Sequence, residues 1–140
     1  MGGDPYGVAV NSTTNTIYVT NEGDNTVSVI NGSTNTVTAT VSVGAYPTGV
    51  AVNSTTNTIY VANEFNSTVS VINGSTNTVT ATVSVSDGQF PTGVAVNSTT
   101  NTIYVTSGFD NTVSVINGST NTVTATVSVG TYPKIGRAHV

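Results

Sequence analysis

Along most of the chain, valine and isoleucine alternate with threonine and serine. The clearest stretch sets Val37, Ala39, Val41 and Val43 against Thr38, Thr40 and Ser42. A period of two places one set on one face of a sheet and the other set on the opposite face. Three shorter segments precede it: Val8-Ala9-Val10, Thr16 to Thr20, and Thr26 to Ile30. The pattern therefore predicts four strands, termed a, b, c and d. The a–b link reads NSTTN (Asn11 to Asn15) and the c–d link NGSTN (Asn31 to Asn35). Each has Asn at its first and fifth positions, which suits a type I turn closed by a left-handed residue, because Asn tolerates positive φ. Links this short make neighbouring strands antiparallel, so the unit is a meander.

The unit occurs three times. GVAVNSTTNTIYV begins at Gly7, Gly49 and Gly93, with periods of 42 and 44 residues. TVSVINGSTNTVTATVSV begins at Thr26, Thr68 and Thr112 and is identical in all three copies. Four strands in about 40–45 residues are the pattern of a β-propeller blade. A stacked β-solenoid is the alternative, but its coils are usually shorter. The stretches Tyr18-Val19-Thr20-Asn21, Tyr60-Val61-Ala62-Asn63 and Tyr104-Val105-Thr106-Ser107, with PxGVAV before and NTVSVIN after, resemble the YVTN family of propeller repeats.

That resemblance implies an all-β propeller of four-stranded blades at 7–48, 49–92 and 93–133, with 1–6 the end of a preceding connection. It also implies that strand a lines a central channel and strand d the rim. Family members are typically seven-bladed, so three blades are expected to be a piece of a larger ring. Where the repeat calls for another strand a, the chain reads Lys134-Ile135-Gly136-Arg137-Ala138-His139-Val140. This tail resembles a translated sequencing-library adapter and is expected to be non-native, so His139 carries no catalytic or metal role.

Composition narrows the function classes. Thr, Val, Asn and Ser number 29, 25, 17 and 15 of 140 residues, with no Leu, Trp or Cys. β-branched residues without leucine disfavour helices, and the absence of Cys removes disulfides and thiolate chemistry. Only 2 basic residues are present against 6 acids, a net charge of −4. Both lie in the tail, so a nucleic-acid partner, which needs cations facing phosphates, is excluded. No apolar run approaches the roughly 18 residues of a membrane span, so no membrane insertion is expected.

No nucleophile–base pair, phosphate loop or HExxH motif is present. What chemistry there is gathers at one end of the meander. Every acid falls in a b–c link (Glu22, Asp24, Glu64, Asp110) or a d–a link (Asp4, Asp87). So do Phe65, Phe109, Tyr6, Tyr46, Phe90 and Tyr132, together with the differences between the copies, counted from Thr20, Ala62 and Thr106 onward and in the d–a links. The binding face expected from this segregation comprises Glu22, Asp24, Glu64, Phe65, Asp87, Phe109 and Asp110, on loops carried by a rigid scaffold. The aromatics before prolines are read as inter-blade packing. No catalytic residue and no cofactor are assigned. Oxygen ligands suit Ca²⁺, and Glu22 with Asp24 is the densest pair any one loop offers. Asn-x-Ser/Thr sequons at Asn11, Asn31, Asn53, Asn66, Asn73, Asn97 and Asn117 are possible glycosylation sites.

The expected function is a non-catalytic propeller scaffold: an extracellular or cell-surface binding or adhesion module with a protein or glycan partner at the b–c/d–a face. The alternatives are the propeller domain of a lactonase-like or quinoprotein-like enzyme, which is fold-level analogy, and a self-assembling structural surface protein. Bare outer blade faces are expected to make the chain self-associate.

Overall fold

The computed structural model describes residues 3–85, 90–108 and 111–130. They form three four-stranded antiparallel sheets. The first contains β1 (Pro5–Asn11), β2 (Thr16–Asn21), β3 (Thr26–Asn31) and β4 (Thr36–Ser42). The second contains β5 (Pro47–Asn53), β6 (Thr58–Asn63), β7 (Thr68–Asn73) and β8 (Thr78–Ser84). The third contains β9 (Pro91–Asn97), β10 (Thr102–Ser107), β11 (Thr112–Asn117) and β12 (Thr122–Ser128). In each sheet the spatial order follows the sequence order, as a meander requires.

The turns follow the expected chemistry. Asn15, Asn35, Asn57, Asn77, Asn101 and Asn121, the fifth residues of the a–b and c–d links, all lie at φ between 54° and 57°. The b–c links obey the same rule, with Asn25, Ser67 and Asn111 at 55–58°. All three kinds of link within the first sheet are therefore four-residue turns between strands, at 12–15, 22–25 and 32–35.

The first strand is longer than the three residues expected for strand a. Pairing runs on to Pro5↔Asn21 across a register shift between Pro5 and Val8, and the second sheet repeats this at Pro47 and Val50. A bulge keeps a strand paired while turning it, which lets the proline join the ladder without breaking the alternation of Val8 and Val10.

Alternation gives every sheet two apolar faces. One carries Tyr18, Val27, Val29 and Val41. It packs against Ile59, Val61, Ile72, Val50, Val52 and Val79 of the opposite face of the second sheet. Between the second and third sheets the same pairing recurs, with Tyr60, Val69, Val71 and Val83 against Ile103, Val105, Ile116, Val94, Val96 and Val123. The core thus lies between sheets, as two copies of one interface. β1, β5 and β9 approach one another closely, whereas β4, β8 and β12 barely touch. The sheets therefore fan out from their first strands, so strand a is innermost and strand d outermost.

Polar groups reinforce the inner edge. The Thr20 hydroxyl accepts the Gly7 N–H at 2.8 Å and donates to the Thr48 carbonyl of the next sheet at 2.8 Å. The threonine of the Tyr-Val-Thr-Asn stretch is thus an inter-sheet bridge. In the second copy Ala62 replaces it. There the strands close further, and a β-carbon on Gly49 would sit 2.0 Å from the Thr92 carbonyl oxygen, against 2.5 Å between Gly7 and Thr48.

The a–b end is locked by asparagine. Asn11 Nδ2 donates to Asn57 Oδ1 of the next sheet at 3.0 Å, and Asn53 Nδ2 donates to Asn101 Oδ1 at 3.0 Å. Within each sheet the c–d turn docks on the a–b turn through Gly32 N–H to the Asn15 carbonyl at 2.8 Å. A side chain at Gly32 would meet Asn15 Oδ1 at 2.3 Å. These contacts account for the invariance of NSTTN and NGSTN.

Candidate functional site

At the other end, in the first two sheets, the link leading into the sheet lies alongside that sheet's own b–c turn. Glu22 N–H and Gly23 N–H donate to the carbonyls of Asp4 and Gly3, and Glu64 N–H and Phe65 N–H donate to those of Tyr46 and Ala45. Side chains fasten the pairs. Asp24 Oδ2 accepts the Gly3 N–H at 2.7 Å, Asn66 Oδ1 accepts that of Ala45, and Asn25 Oδ1 accepts that of Tyr46 at 2.9 Å. The two link types expected to form a face therefore make one hydrogen-bonded platform.

On it the aromatic rings of different links meet. Tyr46 stacks on Phe65, with ring centroids 4.5 Å apart and planes within 8°. Phe90, from the link into the third sheet, meets Phe65 edge-on at 6.0 Å and 69°. These are the two arrangements that aromatic quadrupoles favour. Phe65 nevertheless remains 61% exposed. Tyr46 and Phe90 precede prolines and sit at φ 59° and 36°. Positive φ is costly for bulky side chains, on the order of 1–3 kcal/mol, and here it accompanies the placement of both rings beside Phe65. Asp4 holds the equivalent position in the first sheet, at φ 55°.

The carboxylates gather around this row. The Tyr46 phenol is held protonated above its ordinary range, first by a hydrogen bond to Glu22, then by the charge of Glu22, by burial, and by the charges of Glu64 and Asp4. The Glu64 carboxyl is also raised, first by partial burial and then by Glu22. Glu22, Glu64 and Asp4 thus act on one phenol from links of two different sheets.

A test of this crowding follows from the sign of the Glu64 shift. A carboxyl that binds its proton more tightly in the folded state than in the unfolded state loses stability on ionising. The loss begins as pH rises through the ordinary carboxylate range and is complete above the raised value. Glu64→Gln is therefore expected to raise the melting temperature at neutral pH. The gain should fade as the pH falls below the ordinary range. Thermal melts of both proteins across pH check this, and a gain that persists in acid would remove the electrostatic explanation.

The structure brings together Glu22, Glu64 and Phe65 of the expected face. Asp24 lies on the same platform but spends its carboxylate on the backbone of Gly3. Asp87, Phe109 and Asp110 lie outside the described residues. Tyr46, Phe90 and Asp4 belong to the cluster although the sequence reading left them out of the face. Their signal was a shared place, the residue before each proline. The reading of Tyr46 and Phe90 as packing groups is compatible with this, since both pack on Phe65. Among the described residues no group of three or more His, Cys, Asp or Glu is placed to hold a metal ion.

The sequons divide by geometry. Asn11 and Asn53 are buried with Nδ2 spent on the next sheet. A glycan on either would break that bridge. Asn31, Asn73 and Asn117 are half-buried and engage their amide oxygens with the N–H groups of Ser33, Ser75 and Ser119. Asn66 and Asn97 are exposed.

No protein-family model matches the chain, and no curated protein matches it. Among solved structures, the Kuenenia stuttgartiensis hydrazine synthase superposes on 92% of this chain with a TM-score of 0.87 at 22% identity. The fold is that of a β-propeller, with three blades. At that identity the likeness is one of fold alone, and this chain spans 37% of the hydrazine synthase chain.

Proposed function

We propose that the chain is a non-catalytic, YVTN-type propeller scaffold that binds a partner through the b–c/d–a platform, as an exported or cell-surface binding or adhesion module. The observation that carries this reading is the exposed Phe65 ring, stacked on Tyr46 and set among Glu22, Glu64 and Asp4. An accessible aromatic beside several carboxylates suits a cationic group, through ring and charge together. The pattern of copy differences supports it as well. The b–c turns have the same length as the invariant turns and close on a left-handed residue at the same position, so loop length does not account for their variation.

Binding is tested with polylysine and with a panel of neutral glycans. The wild-type chain is expected to bind polylysine and to release it as salt rises, since exposed charges are screened. Phe65→Ser and Glu22→Gln with Glu64→Gln should each weaken binding severalfold without unfolding the chain. Neutral-glycan binding that is insensitive to salt yet lost with Phe65→Ser would keep the platform but replace the partner class. Binding that survives both changes and is lost on altering Asn97 would place the site at the wrong end.

The second reading is a propeller within a longer enzyme, favoured by the fold of the hydrazine synthase neighbour. The recess of about 340 Å³ along the innermost strands is lined by Tyr6, Thr48, Thr92 and the glycines and valines beside them. Among the described residues it is lined by no acid, histidine or cation.

A further inference from the structure

The outer faces of the first and third blades are the two halves of the interface that occurs twice inside the chain. On the third blade, Tyr104 is 39% exposed against 1% for Tyr60, Val127 47% against 5% for Val83, and Val129 52% against 1% for Val85. These are the same residue types at the same repeat positions, differing only in cover. On the first blade, Val8, Val10 and Val37 are exposed. Their counterparts Val50, Val52 and Val79 pack beneath Tyr18 and its neighbours.

The polar half-sites match too. Asn11 and Asn53 donate to Asn57 and Asn101 of the following blade. Asn97 is the next donor in that series and is exposed, while Asn15, the counterpart of the two acceptors, is exposed on the first blade. Thr106 accepts the Gly93 N–H at 2.9 Å, as Thr20 accepts that of Gly7. Its hydroxyl is exposed where the Thr20 hydroxyl reaches the next blade's carbonyl.

We propose that two copies of this chain join head to tail, the Tyr104 face of each on the Val8 face of the other, and close a six-bladed ring. A contact between unlike faces is heterologous, so it either closes or continues as a filament. Propellers hold typically about four to eight blades. Three blades per copy reach that range only with two copies. A closed ring covers both apolar faces of both chains, whereas a filament of any length leaves two bare. The Asn97–Asn15 and Thr106–Tyr6 carbonyl bonds then repeat the internal bridges at each new junction. This inference does not depend on what the platform binds.

The test is native mass spectrometry and light scattering of the whole chain at micromolar concentration. A species of twice the 14.1 kDa chain mass is expected. Val8→Lys with Val10→Lys makes one face positive, and Tyr104→Glu with Val127→Glu makes the other negative. Each variant alone should be a monomer with unaltered strand circular dichroism, since these side chains are solvent-exposed in the single chain. Mixed in equal amounts, the two variants should regain a two-chain species, because one junction of the ring is then native and the other sets the introduced lysines against the introduced glutamates. A monomeric wild-type chain, a polymer beyond two copies, or a mixture that stays monomeric would each overturn the proposal.

Discussion

Gly49→Ala is expected to destabilise the chain by about 3 kcal/mol or more, beyond the usual range for adding one methyl group in a packed interior. The added carbon would lie 2.0 Å from the carbonyl oxygen of Thr92 and 3.1 Å from its carbonyl carbon. Both are backbone atoms of the neighbouring innermost strand, so no rotamer change relieves the overlap and β5 must move away from β9. That movement would loosen the apolar contact behind it. Gly93→Ala provides the comparison. Its added carbon meets the side-chain oxygen of Thr106 at 2.8 Å and little else, and that hydroxyl can turn aside, so in dilute solution, with no second copy over the third blade, the cost should stay near 1 kcal/mol. Chemical denaturation of the two variants measures the difference. Equal losses would show that inter-blade closeness does not decide the requirement for glycine.

Tyr60→Ala is expected to cost about 4 kcal/mol, and Tyr104→Ala less than about 1 kcal/mol in dilute solution, on the scale of other buried aromatic truncations. Tyr60 is buried against Ile103, Val105 and Ile116 of the third blade, and burial alone holds its phenol above the ordinary range. Truncation leaves a cavity between two sheets whose backbones are pinned at both ends, by Asn53 with Asn101 and by the contact at Gly49. Tyr104 has the same sequence neighbours and the same ladder partners in kind, but no sheet lies over it. Thermal or denaturant unfolding of both variants separates local strand propensity from inter-blade cover. A similar cost at both positions would show that the tyrosine acts within its own sheet.

The strands and turns were legible because their causes are local. Ala39, Val41 and Val43 fall on one face by period alone, and Asn15 and Asn35 adopt the left-handed turn their side chains permit. Val37, expected on that same face, is turned to the opposite one because the β3–β4 register shifts between Ala39 and Val37, which no local pattern marks. The left-handed residue of the b–c turn was missed because the copies disagree there, with Asn25, Ser67 and Asn111 at one position. Contacts across blades were not legible. Asn11 and Asn57 are 46 residues apart, and nothing near either one marks it as the other's partner. The stacking of Tyr46 on Phe65 was hidden for a related reason. Adjacent strands are predictable neighbours, but the pairing of a d–a link with the following b–c turn depends on the bulge between Pro5 and Val8 and its copy at Pro47 and Val50. The threonine at position 20 read as part of a motif, and only its distance to the Thr48 carbonyl shows what the motif residue does.

The sameness of the two inter-blade interfaces has a kinetic consequence. The Tyr18 face can dock on the face of Ile59 or, with the second blade looped out, on that of Ile103, and the residues buried are the same in type either way. Only the entropy of the intervening loop separates the two encounters, and loop closure grows slowly with length. A refolding chain therefore meets a nearly isoenergetic wrong pairing that natural sequences usually design out by making each contact distinct. The native order wins at equilibrium because it covers two interfaces where the skipped pairing covers one. A molecule caught in the skipped arrangement must separate that interface before it can proceed, so its escape carries the barrier of a partial unfolding.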